Sequence, residues 1–144
     1  MTEVKVLEPE AAVIRQQARD IPVWGRFDVI VVGAGVAGIS AAVAAARNGA
    51  STLLVERDGC LGGTATTGLM VVFMGVDFEV LRGNCLELIK RMEARGAAFV
   101  GPNTPFDPEE FKFVAEGWLL ESGAAPLYHA LFSDVIGSGG AVRG

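Results

Sequence analysis

Val31–Ser40, VVGAGVAGIS, joins a β-branched run to an alanine-rich one. Gly33, Gly35 and Gly38 stand in it at the spacing G-x-G-x-x-G. Each glycine has a physical task in such a loop. Gly33 permits a tight turn out of a strand. Gly35 lets backbone approach a pyrophosphate with no side chain between. Gly38 lets the following helix pack close to the strand. The pyrophosphate then meets free N–H groups at the positive end of that helix. The spacing alone is weak evidence, and its setting decides its meaning.

The setting agrees. DVIVV, Asp28–Val32, predicts a strand buried on both faces, as in a parallel sheet. Ile39–Asn48 predicts a helix that stops at Gly49, and STLLVE, Ser51–Glu56, a second strand. Asp28–Glu56 is then one βαβ unit of 29 residues. Glu56 lies 18 residues past Gly38, where a carboxylate accepts from both hydroxyls of a ribose. A carboxylate there repels a 2′-phosphate, which disfavours NADP at this site.

A second loop follows at once: RDGCLGGTATTG, Arg57–Gly68. Gly62, Gly63 and Thr64, then Thr66, Thr67 and Gly68, would sit near the C-terminal strand ends, where ligands bind in open α/β sheets. Its glycines permit close approach, and its threonines carry hydroxyl donors. A simple nicotinamide dehydrogenase would be expected to resume its βα alternation here, so the loop favours FAD over NAD.

Farther on, Leu69–Gly75 is apolar and too short to assign. A helix is expected from about Asn84 to Arg95, with Leu86, Ile89 and Met92 on one face, Glu87 paired with Arg91, and Gly96 at its end. AAFVGPNTPFDPEE reads as loop. Asp107 should cap a third helix, with Pro108 at its first position and Glu110 completing a capping-box pattern. Phe111, Val114 and Trp118 would face the core, and Gly123 would end the helix. PLYHALFSDVI, Pro126–Ile136, predicts a strand, GSGG a turn, and AVRG the first half of a returning hairpin strand.

The 144 residues suit one domain with a real core. Half are apolar and 20% charged, a globular composition. The net charge of −5 leaves no basic stripe for nucleic acid and gives no support for an anionic membrane surface. The first residues, MTEVKVLEPE, have no apolar core of a signal peptide, and the apolar window Val29–Ala46 is too rich in Gly and Ala to read as a span. The default location is cytoplasmic. Cys60 and Cys85 form no CxxC pair, so neither a metal site nor a disulfide framework is expected.

The stretch DVIVVGAGVAGISAAVAAARNGASTLLVERDGCLGGTATTGLM resembles the start of FAD-dependent oxidoreductases of the glutathione-reductase-like superfamily. It is most similar to a bacterial group related to the fumarate reductase and succinate dehydrogenase flavoproteins. ARDIPVWGRFDVIVVG and DPEEFKFVAEGWLLESGAAPLYHALFSDVI extend the resemblance, which runs from about residue 18 onward. It implies that Gly33, Gly35, Val36, Ala37 and Gly38 contact the pyrophosphate. Glu56 would bind the adenosine ribose, with Arg57 beside it near the adenine. Gly62, Gly63, Thr64, Thr67 and Gly68 would line the stretch toward the flavin. Phe132 matches a position, often valine in the family, whose backbone reads the adenine edge.

The disulfide reductases of that superfamily carry two cysteines where this chain has Ala65 and Met70, which argues against thiol–disulfide chemistry. Cys60 reads as a small hydrophobe, His129 as structural within its strand, and Trp24 and Trp118 as packing residues. No residue stands out as a general acid or base.

The expectation is an α/β, three-layer FAD/NAD(P)-binding Rossmann-like domain with a parallel sheet, cut off at the start of a β-hairpin. Residues 1–26 form a lead-in arm, and 27–144 the N-terminal portion of the FAD-binding domain. The function is the FAD-binding part of a flavin-dependent oxidoreductase acting on a small organic substrate, with substrate, electron acceptor and oligomeric state unassigned. The alternatives are a non-catalytic FAD- or NAD-binding module, or a subunit fragment that needs a partner chain. A tRNA-modifying flavoprotein is disfavoured by the net charge of −5.

Overall fold

Parallel pairing of three strands organises the chain. A computed structural model describes residues 20–144 apart from Gly140. Residues 1–19 of the expected lead-in arm lie outside the described residues. In chain order the elements are β1 (Val29–Val32), α1 (Val36–Arg47), β2 (Thr52–Val55), β3 (Val72–Met74), α2 (Gly83–Ala94), β4 (Asn103–Pro105), α3 (Pro108–Glu121), β5 (Ala125–Leu127), β6 (Gly137–Ser138) and β7 (Ala141–Val142). A 3₁₀ turn, Gly63–Ala65, follows β2. The sheet order is β1-β2-β5, all parallel, with Val29 opposite Thr52 and Leu53 opposite Ala125. β3 pairs antiparallel with β4, and β6 with β7.

α1, α2 and α3 pack on one another, and α1 and α3 also pack onto the sheet. Ile39, Ala42 and Val43 of α1 meet Leu54 of β2, Leu88 and Met92 of α2, and Phe111, Trp118 and Leu119 of α3 in one apolar cluster. β3 and β4 join this core through aromatic rings. Phe73 lies 4.7 Å from Phe106, and Phe106 5.4 Å from Phe111, all tilted. β5 is tied to α3 by the Tyr128 hydroxyl, which donates to Glu116 Oε1 at 2.9 Å. Burial and that carboxylate push the Tyr128 hydroxyl pKa up.

Several expectations change. α1 begins at Val36, three residues before the expected Ile39, because the helix starts inside the glycine motif. β1 is covered on one face only. Val29 and Val31 are half-buried, and Ile30 and Val32 on the other face are 53% and 51% exposed, whereas Leu53 and Leu54 bury both faces of central β2. In α2 the buried trio is Leu88, Ile89 and Met92, and Leu86 is only half-buried. The segment read as loop contains β4, and the unassigned apolar run supplies its partner β3. The strand expected over 126–136 ends at Leu127. His129 adopts φ 54°, which breaks the strand, and its backbone N–H bonds Asp58 O. Trp118 is fully buried, whereas Trp24 is 72% exposed and, among the described residues, stacks on Phe27 rather than on the core.

Asp107 caps α3 as expected, accepting from the Glu109 and Glu110 amides at 2.8 and 3.1 Å. The reciprocal half of the capping box is not made. The Asp107 amide donates to Ala97 O instead, and Glu110 pairs with Arg95.

Charges tie the helices together. Glu87 of α2 accepts from Arg47 of α1 at 2.6 Å and from Arg91 at 3.0 Å, and Arg91 also reaches Glu121 of α3. The Arg47 guanidinium, with Arg91 beside it, holds the Glu87 carboxyl at about 2, below its ordinary 4.5. A depressed carboxyl pKa means that the unfolded chain binds more protons in this window. The stabilisation is present above pH 4.5 and is lost as pH falls toward about 2. Glu87→Gln should therefore cost about 1 kcal/mol near neutral pH, a modest value for a half-exposed network. Urea unfolding at several pH values should show that gap closing as the solution is acidified. Phe111→Ala, which empties a fully buried ring site, should cost about 3–5 kcal/mol in the same measurement.

Candidate functional site

The turn out of β1 is built from backbone alone. Gly33 has φ 90°, a left-handed conformation that side chains disfavour, and its N–H bonds Val55 O at 2.8 Å. The chain then enters α1 through Gly35, whose extended backbone caps the helix without any side-chain acceptor. The first helical bond runs from Ile39 N to Gly35 O. The amides of Val36, Ala37 and Gly38 precede it and make no bond within the helix. No acidic side chain lies in the first turn to neutralise this positive end.

A Cβ on Gly38 would collide with the Gly33 carbonyl oxygen and stand 3.6 Å from Val31 Cγ1. Here the spacing serves helix-on-strand contact. A Cβ on Gly35 or Gly33 would meet no protein atom within 4 Å. Those positions are empty of protein, as a close ligand approach requires.

The second loop lies against the first. Gly62 N donates to Ala34 O at 2.8 Å, and Gly35 and Gly62 form a parallel bridge. A Cβ on Gly63 would stand 3.2 Å from Gly35 Cα. Gly62, at φ 115°, turns the chain where a Cβ would strike the Thr66 side chain. The Thr66 hydroxyl donates to Leu61 O at 2.9 Å, and the Thr67 hydroxyl to Gly63 O at 3.1 Å. Thr66 is thus consumed inside the loop.

Glu56, one residue past β2, is 7% exposed. Its Oε2 accepts from Ala34 N at 2.7 Å and its Oε1 from Asp58 N at 2.9 Å. Its backbone is held as well: Glu56 N donates to Leu127 O, and Glu56 O accepts from Ala130 N. Arg57 is exposed, 3.8 Å from Asp58.

These groups surround one open cleft of about 610 Å³ at the C-terminal ends of β1 and β2. Gly33 and Glu56 line it, with Arg57 next to Glu56, and Gly63, Thr64, Thr67 and Gly68 come from the second loop. Phe132, half-exposed, lines it from the segment after β5. Gly35, Val36, Ala37, Gly38 and Gly62 adjoin the cleft without lining it. Val32, Val55, Asp58, Ala130 and Leu131 also line it and escaped the sequence reading. Ala130 and Leu131 were hidden by the false strand, which assigns alternate residues to opposite faces. Asp58 acts through its backbone amide, which leaves no mark in residue type.

Cys60 is free and half-buried, and neither it nor His129 lines the cleft. Among the described residues, no group of three or more His, Cys, Asp or Glu could hold a metal, and no helix is long and apolar enough to cross a membrane.

A glycine turn onto a free helix N-terminus, against a carboxylate at the end of the next strand, defines a dinucleotide-binding Rossmann-like domain. The chain belongs to the FAD dependent oxidoreductase family, whose model matches residues 28–144. It is 31% identical over 127 residues to thiamine thiazole synthase of Sulfolobus acidocaldarius, covering 86% of this chain and 45% of that protein. Among solved structures it is similar in fold to THI4 of Thermovibrio ammonificans, with TM-score 0.55 and 21% identity over 81% of this chain and 45% of that one. Glycerol-3-phosphate dehydrogenase from Bacillus halodurans, solved with FAD, superposes with TM-score 0.54 and 15% identity over 83% of this chain and 29% of that one. The chain thus spans less than half the length of these relatives.

Gly38→Ala should cost about 1–3 kcal/mol, because its methyl meets rigid backbone, whereas Gly35→Ala should leave stability nearly unchanged. Paired urea melts of the two variants make the comparison.

Proposed function

We propose that this chain supplies the FAD-gripping part of an oxidoreductase that acts on a small organic substrate. FAD binding itself follows from the family. The residue roles rest on one observation: the two glycine loops and the buried Glu56 carboxylate meet at a single cleft at the strand ends. In this reading Gly33, Gly35, Val36, Ala37 and Gly38 face the pyrophosphate, whose charge suits the uncapped end of α1. Glu56 accepts from the adenosine ribose, and Arg57 flanks the adenine. Gly62, Gly63, Thr64, Thr67 and Gly68 carry the path toward the flavin ring. Phe132 presents backbone to the adenine edge.

The flavin supplies the redox chemistry when bound, by reversible uptake of a hydride or of electrons. This chain's residues bind and orient it. The open space over Gly35 admits a phosphate to backbone distance, and the free amides at the start of α1 balance its charge. Glu56 keeps two acceptor oxygens at the ribose end. No side chain of the cleft is assigned as general acid or base.

The purified chain should bind FAD, with a flavin absorbance band that is released as free FAD on denaturation. Retention of NAD with no affinity for FAD would overturn the reading. Gly35→Val separates ligand approach from folding. Its side chain enters space empty of protein, and its extended backbone tolerates valine, so the melting temperature should hold. Affinity for FAD should fall by roughly a hundredfold or more, the scale of about 3 kcal/mol. Unchanged affinity would displace the pyrophosphate from this turn.

A further inference from the structure

The loop Gly33–Gly38 faces an ordering problem. Three glycines give it large conformational freedom, and the Gly35 cap offers no side chain. Among the described residues, the only side chain that bonds its backbone is Glu56. That bond, 2.7 Å from Ala34 N to Oε2, is charge-assisted and buried on both sides. Ala34 is also held from its other end, since its carbonyl accepts from Gly62 N at 2.8 Å. Glu56 is itself fixed by the Asp58 amide, 2.9 Å from Oε1. One continuous chain of bonds therefore runs from Asp58, at the start of the second loop, through the Glu56 carboxylate and Ala34 to Gly62 farther along the same loop.

We propose that Glu56 is a positioning residue, which sets the shape of the glycine loop before any nucleotide arrives, in addition to meeting the ribose. The inference rests on the reading of this cleft as a nucleotide site. The two roles are compatible. A carboxylate offers about four lone-pair sites. Two are used by the Ala34 and Asp58 amides, and the others remain for hydroxyl donors. A glutamine cannot do the same, because it presents one acceptor oxygen and one donor NH₂ to two N–H groups. One amide bond is lost, and the loop loses its brace whatever ligand it is to hold.

The test separates the roles by removing the hydroxyls from the ligand. The full chain and Glu56→Gln are titrated with ADP and with 2′,3′-dideoxy-ADP by calorimetry. If Glu56 braces the loop, the variant loses affinity for dideoxy-ADP too, by about tenfold, the scale of a hydrogen bond to a charged group. Equal binding of dideoxy-ADP to both proteins, with only ADP weakened, would overturn the proposal. The ligand-free state gives an independent readout. The Ala34 amide resonance should lie downfield in the wild type and move upfield in Glu56→Gln, and an unmoved resonance counts against the brace. Should the variant not fold, hydrogen exchange on the nucleotide-free wild type decides. Ala34 N–H exchange as slow as that of β2 supports the brace, and exchange as fast as that of exposed loop amides refutes it. If the wild type binds neither nucleotide, the FAD reading of the cleft fails, while the amide signature still judges the brace.

Discussion

Contact between bare backbones is the constraint on which the rest of this structure depends. α1 can lie against β1 and β2 only because Gly38 carries no side chain to strike the Gly33 carbonyl. The same economy brings the second loop in, with Gly63 resting on Gly35. A Cβ on Gly38 would push α1 away from the strand ends, and one on Gly63 would press the second loop off Gly35. The positive end of α1, the turn at Gly33 and the second loop then would not converge. Chain flexibility is the cost, since glycines lose the most freedom on folding. The surrounding structure offsets it with specific bonds, from Gly33 N to Val55 O, from Gly62 N to Ala34 O and from Ala34 N to Glu56.

The cleft has a rigid base. Leu54 is fully buried in β2, one residue before Val55 of the cleft lining, and Ile39 and Val43 of α1 pack into the cluster that holds Trp118 and Phe111. The helices are cross-linked on their outer side by Arg47, Glu87, Arg91 and Glu121. A loop of glycines can hold one shape when both elements that it joins are fixed. Binding residues on a stiff βαβ frame suit a cofactor that must be oriented rather than transformed by the protein. The fold by itself says nothing of the substrate, because folds of this type serve many chemistries. The first-named relatives are more than twice as long as the portion matched here.

Much of the fold was legible in the chain because its signals are local. A β-branched run, a glycine motif and an alanine-rich segment each declare their conformation within ten residues. The Asp107–Pro108 pair did the same for α3. Misreadings occurred where long-range pairing overrides local pattern. Asn103–Pro105 has no strand composition and becomes β4 because β3 is there to pair with it. Tyr128–Ile136 has strand composition but lies beyond the sheet, which ends at Leu127; His129 turns at φ 54° and its N–H is captured by Asp58 O. Leu86 and Leu88 are equally apolar. Which one is buried depends on where α1 and α3 press against α2.

For the site, residue types and spacing already named the groups able to serve: glycines at positions where backbone must stay bare, and an acid at the end of the second strand. Those follow from the spacing of one βαβ unit, a short-range property. The folded chain adds that the two loops touch, that Thr66 is consumed internally, and that both oxygens of Glu56 already hold backbone amides. The physical reason is that a hydrogen bond between Glu56 and Ala34 spans 22 residues. No local pattern records it. It exists because parallel pairing of β1 with β2 sets both strand ends side by side.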